Sequence, residues 1–189
     1  MELFTIDVLK KLDILENDAS ITAKVLVNSD LRGIESHSVA HLKPFYVTWI
    51  REGKIKKCPE LKLTSHSLTS VILDGNSGLG FVTGHYAIAE AIKRAEKTGV
   101  ELVSVKNSTH CGEAYYSMIP IHYDMIGITM TIGDRIMMAP NSSGRAGGLN
   151  PIAVAVPSNK KHPFVLDIST SVVAYGKFEI AKGKGQKIP

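Results

Sequence analysis

No apolar run in this chain approaches the ~20 residues that a membrane-spanning helix needs. The amino terminus, Met1-Glu2-Leu3-Phe4-Thr5-Ile6-Asp7, lacks the basic start and apolar middle of a secretory signal. Neither a membrane span nor export is therefore expected, and the expected location is the cytoplasm. Cysteine is scarce: Cys58 and Cys111 stand far apart in unlike surroundings, which argues against a disulfide framework or a Cys-based zinc site. Basic residues gather only at Lys54, Lys56 and Lys57 and at Lys182, Lys184 and Lys187, with no aromatics between them and a net charge of only +4. Phosphate binding along a nucleic acid needs a denser stripe, so no nucleic-acid partner is expected. No internal repeat is visible.

A chain of 189 residues that is 44% apolar and 21% charged can bury one sizeable core, or one core with a small appended unit. Phe4, Val8, Leu9 and Leu12 recur at helical spacing, and Asp18 reads as the N-cap of a second helix carrying Ile21, Val25 and Leu26. A third helix, capped near Ser36 or Ser38, turns Val39, Leu42, Phe45, Trp49 and Ile50 inward, is bent at Pro44 and stops at Gly53. Strands are predicted at Val71–Leu73, Leu102–Val105, Ile126–Thr131, Ile152–Val156 and Phe164–Leu166, the third of them buried. Helices are predicted from about Thr83 to Lys97, around Ala114 to Tyr123, and from near Thr170. This alternation argues for an α/β fold, divided into an N-terminal helical segment (1–70) and an α/β region (71–189). The Gly- and Ser-rich stretch between Gly133 and Asn150 is long for a connection and reads as a functional loop.

Two histidines occupy matching settings, Ser36-His37-Ser38 and Asn107-Ser108-Thr109-His110-Cys111-Gly112. Each follows an apolar segment and opens a predicted helix beside small residues that leave room for a ligand. An imidazole titrates near neutral pH, so the pair points to acid/base chemistry on a small molecule. His37 and His41, four residues apart, could share a metal in a hydrolase, although no third ligand shows diagnostic spacing; otherwise His41 is a polar residue on the exposed side of its helix. The glycines of Gly75-Asn76-Ser77-Gly78-Leu79-Gly80 and Gly84 follow a strand and precede a helix, but their spacing misses the Rossmann fingerprint. They read better as a turn that shapes the pocket. Asp167-Ile168-Ser169-Thr170-Ser171 places an acid at a strand end before hydroxyl residues, which either cap a helix or leave its N-terminus to receive a phosphate or carboxylate.

In order along the chain these pieces resemble the malate/L-lactate dehydrogenase family of NAD(P)-dependent oxidoreductases, the group with ureidoglycolate dehydrogenase and 2,3-diketogulonate reductase. Asp30-Leu31-Arg32-Gly33-Ile34-Glu35-Ser36-His37 looks like the family's DLRGxxSHG, and Asp74-Gly75-Asn76-Ser77-Gly78-Leu79-Gly80 like its DGxxGLG. Asn107-Ser108-Thr109-His110 with Gly112 is similar to its NSxHFG. Asn150-Pro151-Ile152 and Pro163-Phe164-Val165-Leu166-Asp167 are similar to its TNPI and PFVLDMATS segments.

The resemblance implies a non-Rossmann NAD(P)-binding fold in homodimers that interconvert small 2-hydroxy acids, such as malate or lactate, and their 2-oxo acids. Carried over residue by residue, it implies catalytic roles for His37 and His110, substrate binding by Ser36 and His41, and cofactor contacts from Thr131, Asp167, Ile168 and Ser169. The cofactor is NAD or NADP, with Lys160 and Lys161 able to meet a 2′-phosphate; no metal is implied. The sequence departs from the pattern at Ser38, where the family has glycine; at His41, where it has an arginine for the substrate carboxylate; and at Thr131-Ile132, where it has Thr-Asn. Family members are considerably longer, so the chain is expected to be an N-terminal portion. The alternatives are a catalytically incomplete remnant that only folds or associates, and the metal-dependent hydrolase using His37 and His41.

Overall fold

A computed structural model describes residues 1–159, 161–173 and 175–187. Helices α1 (Glu2–Lys10) and α2 (Glu16–Leu31) pack against each other as the expected helical pair. The second begins earlier than predicted: Leu15 is its N-cap, and Asp18 lies within the first turn, buried. Burial there pushes the Asp18 carboxyl above the usual carboxylate range.

The predicted third helix is not one helix. Glu35–His37 and Val39–His41 are separate 3₁₀ turns, Leu42–Val47 is a π-helical stretch containing Pro44, and only Thr48–Arg51 is α-helical (α3). Proline removes a backbone donor and clashes with the preceding turn, which the wider winding relieves. Leu42, Tyr46 and Ile50 are nevertheless buried as a stripe, and Gly53 ends the segment at φ +72°.

Strands β1 (Lys62–Ser67), β2 (Ser70–Gly78) and β3 (Leu102–Ser108) form one sheet in the order β1-β2-β3. β1 was not predicted; its residues are all exposed, so it carries no alternating signal, and it adds a strand to the otherwise helical segment 1–70. β2 and β3 are parallel, joined by helix α4 (Gly80–Thr98), the crossover that a parallel pair requires. Gly99, at φ +81°, caps α4 in the left-handed region. Phe81 and Val82 of α4 join Leu9, Val25, Leu26 and Tyr116 in the main core.

Helix α5 (Glu113–Met118) continues as a 3₁₀ turn to Tyr123 and leads into the second sheet. That sheet is antiparallel, ordered β4-β7-β8, from Gly127–Met130, Ile152–Val156 and Phe164–Ile168. α5 packs on one face of it, where Ala153 and Ala155 are fully buried. β4 is not the buried strand that its β-branched run predicted: Ile128 and Met130 point to the other face and are exposed. The Gly/Ser-rich stretch folds as a two-stranded ribbon, β5 (Met137–Met138) with β6 (Arg145–Gly147). Helix α6 runs over Tyr175–Gly183, not from Thr170; Thr170–Val173 forms bends. No helix among the described residues is long and apolar enough to cross a membrane.

Candidate active site

The turn at Asp30-Leu31-Arg32-Gly33 ends α2 and throws the chain back across it: Gly33 takes φ +72°, the Ile34 N–H donates to the Ser29 carbonyl at 2.8 Å, and the Val39 N–H to Asp30 Oδ2 at 3.3 Å. Ser38 then caps the second 3₁₀ turn, accepting from the Ala40 N–H at 3.3 Å while its hydroxyl donates to the Glu35 carbonyl at 3.0 Å. These bonds fold His37 and His41 toward each other, with ring centroids 5.8 Å apart, although Ser38 between them is extended. They share a pocket and not a helical face. His41 does not point to solvent as its helical position suggested. Its ring packs edge-on against Phe45 at 4.6 Å, and its side chain is 19% exposed.

His110 comes from the other side. The Gly80 N–H donates to Thr109 Oγ1 at 2.8 Å, Thr83 and Ser108 share a hydroxyl bond at 2.8 Å, and Asn107 Nδ2 donates to both oxygens of Asp74 at 3.1 Å. A Cβ at Gly80 would collide with the carbonyl oxygens of Thr109 and His110, so glycine is what lets the start of α4 lie against this loop. The glycine-rich turn therefore acts as the pocket-shaping element expected of it. His110 reaches His37 with ring centroids 5.3 Å apart.

Electrostatics follow from this crowding. Burial, and the facing His37 and His41, push His110 down to about 4, so it is a neutral imidazole at physiological pH. His37 is lowered by burial and by His41, with Asp167 and Glu179 pulling it back up. Asp167 is exposed as a residue, yet the atoms packed around its carboxyl push it above the usual range, against the pull of His37 and Arg32. Ser36 Oγ lies 3.0 Å from His37 Nδ1 and orients the ring.

Of the residues singled out in the sequence, His37, His41, His110 and Ser36 are brought together, and Asp167 lies within electrostatic reach of His37. Thr131, Ile168 and Ser169 gather instead at one end of the second sheet, where Met130 pairs with Ile152 and Ile152 with Ile168. Strand alternation turns Ile168 to the face opposite Asp167. Neither Ser169 nor Thr170 caps a helix: Ser169 Oγ bonds locally to the Ser171 hydroxyl, and Thr170 Oγ1 donates to the Leu149 carbonyl at 2.7 Å. Lys160 lies outside the described residues, and Lys161 is exposed.

Two contributors had escaped notice. Glu179 on α6 sets its carboxylate 3.5 Å from His41 Nε2, and Arg32 bears on Asp167. Arg32 stands inside the Asp30–His37 motif; for Glu179 no local spacing gives a signal. Gly176 lets α6 come this close, since a Cβ there would press on Ser36 at 2.7 Å. Among the described residues no group of three His, Cys, Asp or Glu is placed to hold a metal, which leaves the hydrolase alternative without a ligand set.

The family model for malate/L-lactate dehydrogenase matches residues 1–189. The chain belongs to the malate/L-lactate dehydrogenase family. A malate dehydrogenase of Pyrococcus abyssi is 45% identical over 188 residues, 98% of this chain and 51% of the relative. Among solved structures of this family, the sulfolactate dehydrogenase of Methanocaldococcus jannaschii superposes with a TM-score of 0.90 at 40% identity, covering 100% of this chain and 54% of that one. The malate dehydrogenase of Entamoeba histolytica superposes at 0.95 with 32% identity, covering 100% and 52%. The α/β fold expected from the motifs is thus the one these family members share. The chain spans about half the length of the curated relatives it matches. Their names, all dehydrogenases, lend no support to the remnant or the hydrolase.

Proposed function

We propose that this chain carries the proton-transfer site of an NAD(P)-dependent dehydrogenase that interconverts a small 2-hydroxy acid and its 2-oxo acid. The observation that carries the reading is His37: its Nδ1 is engaged by Ser36, its ring faces His110, and Asp167 opposes the downward push of burial. With Nδ1 engaged, Nε2 is the nitrogen left to exchange a proton with substrate. Lowered below its ordinary value, His37 is ready at neutral pH to accept the hydroxyl proton of a 2-hydroxy acid, and as imidazolium it returns that proton to the alkoxide in the reverse direction. Neutral His110 supplies a hydrogen bond at the same oxygen without competing for the proton. His41 faces the same pocket as the residue for the substrate carboxylate.

A bound nicotinamide supplies the acceptor and donor of hydride at the substrate's second carbon. The chain offers a fitting place for such a group. A cavity of about 410 Å³ beside the Asp167–Ser171 stretch is walled by Ile136, Met137, Leu149 and Phe178, with the Arg145 guanidinium and Ser171 hydroxyl for phosphate oxygens. Ser169 bonds to the lining residue Ser171, and we assign Thr131 and Ile168 as further cofactor contacts. The same reading makes the protein a cytoplasmic homodimer using NAD or NADP.

The test is a fluorescence titration of the protein with NADH and NADPH, repeated on Arg145→Ala. Saturable binding that the substitution weakens is expected, and the tighter dinucleotide identifies the cofactor. A folded sample that binds neither rejects the reading.

A further inference from the structure

A second cavity, of about 540 Å³, opens between the start of α2, helix α4 and the strands β1 and β2. It is remote from the histidines: Asp18 stands at one end of α2 and the His37 turn follows the other, a helix length of roughly 20 Å away. Its walls are apolar, from Pro59, Leu61, Leu73 and Val82, and Tyr86 adds an aromatic ring. The stretch over 56–61 that closes one side is tied down at three points. Lys57 Nζ donates to Asp13 Oδ2 at 2.8 Å, Asn76 Nδ2 donates to the Glu60 carbonyl at 3.3 Å, and Pro59 seats on Gly78, where a Cβ would collide with its ring. The hollow is thus shaped by contacts within this chain.

Two carboxylates face it, and they differ in what satisfies them. Glu90 accepts from Arg94 Nε at 2.6 Å and lies 3.9 Å from Lys93 Nζ. Asp18 is only 9% exposed, and among the described residues no hydrogen bond or ion pair reaches its carboxylate. A buried charge without a partner destabilises the fold that holds it, and a cation entering beside it relieves that cost.

We propose that this cavity binds an organic ammonium, a small molecule whose primary amine pairs with Asp18 while its apolar body lies among Pro59, Leu73, Val82 and Tyr86. The volume is that of a small-molecule site, and apolar walls with one convergent charge are its usual chemistry. An anion would meet Asp18 and Glu90, and an uncharged molecule would leave Asp18 unpaired. A metal ion would find too few ligands, since no group of three His, Cys, Asp or Glu is placed to hold one among the described residues. The Tyr86 ring, for its part, favours a cation near its face.

The experiment is calorimetric titration of the 189-residue chain with tryptamine, alongside tryptophol and indole-3-propionate, which carry the same ring with a neutral and an anionic end. Saturable binding of tryptamine at about 1 mM or tighter is expected, with both analogues at least about ten-fold weaker. Asp18→Asn is expected to weaken tryptamine by about ten-fold or more while leaving the melting temperature of the free protein unchanged or higher, because it removes an uncompensated charge. Ala89→Phe, which fills the mouth from α4, is expected to block binding, and Glu96→Gln, on the exposed end of the same helix, to leave it intact. Absence of saturable tryptamine binding, equal binding of the three indoles, binding that survives Asp18→Asn, or a melting temperature that falls by several degrees in that variant would each overturn the proposal. None of these readouts involves the dinucleotide or turnover, so the proposal stands or falls separately from the dehydrogenase reading.

Discussion

His41 Nε2 and Glu179 Oε2 lie 3.5 Å apart, joining the histidine turn to a helix from the far end of the chain. Burial holds His41 below its ordinary value despite the nearby carboxylate, so at neutral pH the contact is a polar one between a mostly neutral ring and Glu179. Such a half-exposed contact contributes about 1 kcal/mol or less. Glu179→Ala is therefore expected to leave the global melt within a few degrees while amide exchange in Tyr175–Gly183 speeds up. A large loss of global stability would show that α6 is an integral part of the core.

Stability should fall on mild acidification because of His110. Its ordinary value is 6.5 and its folded value about 4, so between those limits the unfolded chain binds the extra proton. The contribution is fully present above pH 6.5 and is lost as the pH drops toward 4, to the order of 3 kcal/mol. His37 and His41, lowered in the same sense, add to the loss, while Asp167, raised, works against it in the carboxylate range. Denaturant melts across this window should flatten in His110→Gln; an unchanged slope would place the titrating group elsewhere.

Ser36 is expected to act through His37 rather than on substrate. Ser36→Ala frees Nδ1 and should lower kcat by about ten-fold with little change in KM, whereas His37→Gln should remove about 100-fold or more. The pH dependence separates orientation from packing: in Ser36→Ala the rate profile should shift along the pH axis, and a profile that merely scales would show a structural effect.

Gly80→Ala tests the docking of the His110 loop. The new methyl meets two backbone carbonyls, which cannot swing aside as a flexible side chain would, so a loss of about 3 kcal/mol is expected by thermal melt. Gly99→Ala, in open space but at φ +81°, should cost only about 1 kcal/mol.

Where burial and local pattern coincide, the sequence was legible. The α4 helix shows apolar positions at helical spacing and a glycine stop, and β7 alternates as it should. The Leu42–Val47 stretch misled because its apolar stripe is helical in period while Pro44 forces a different winding. β1 leaves no signal because neither face is buried, and the β-branched run of β4 predicts burial that the strand lacks, because such composition reports the kind of neighbour a strand can accept, without reporting whether one is present. At the site, His37 and His110 were readable from motifs, but Glu179 was not: a contact made across most of the chain leaves no trace in residue spacing.

The change of winding around Ser38 also governs which length changes the gene can absorb. Tight turns on one side and a wide one on the other together set the rotation that brings His37 and His41 into one pocket. One residue added or removed between 35 and 42 would swing the two rings to different sides of the backbone. The exposed tip of the β5–β6 ribbon, around 139–144, has no such partner to miss. Insertions and deletions are therefore expected to be tolerated at the ribbon's tip and not at the turn, however conservative the residue gained or lost.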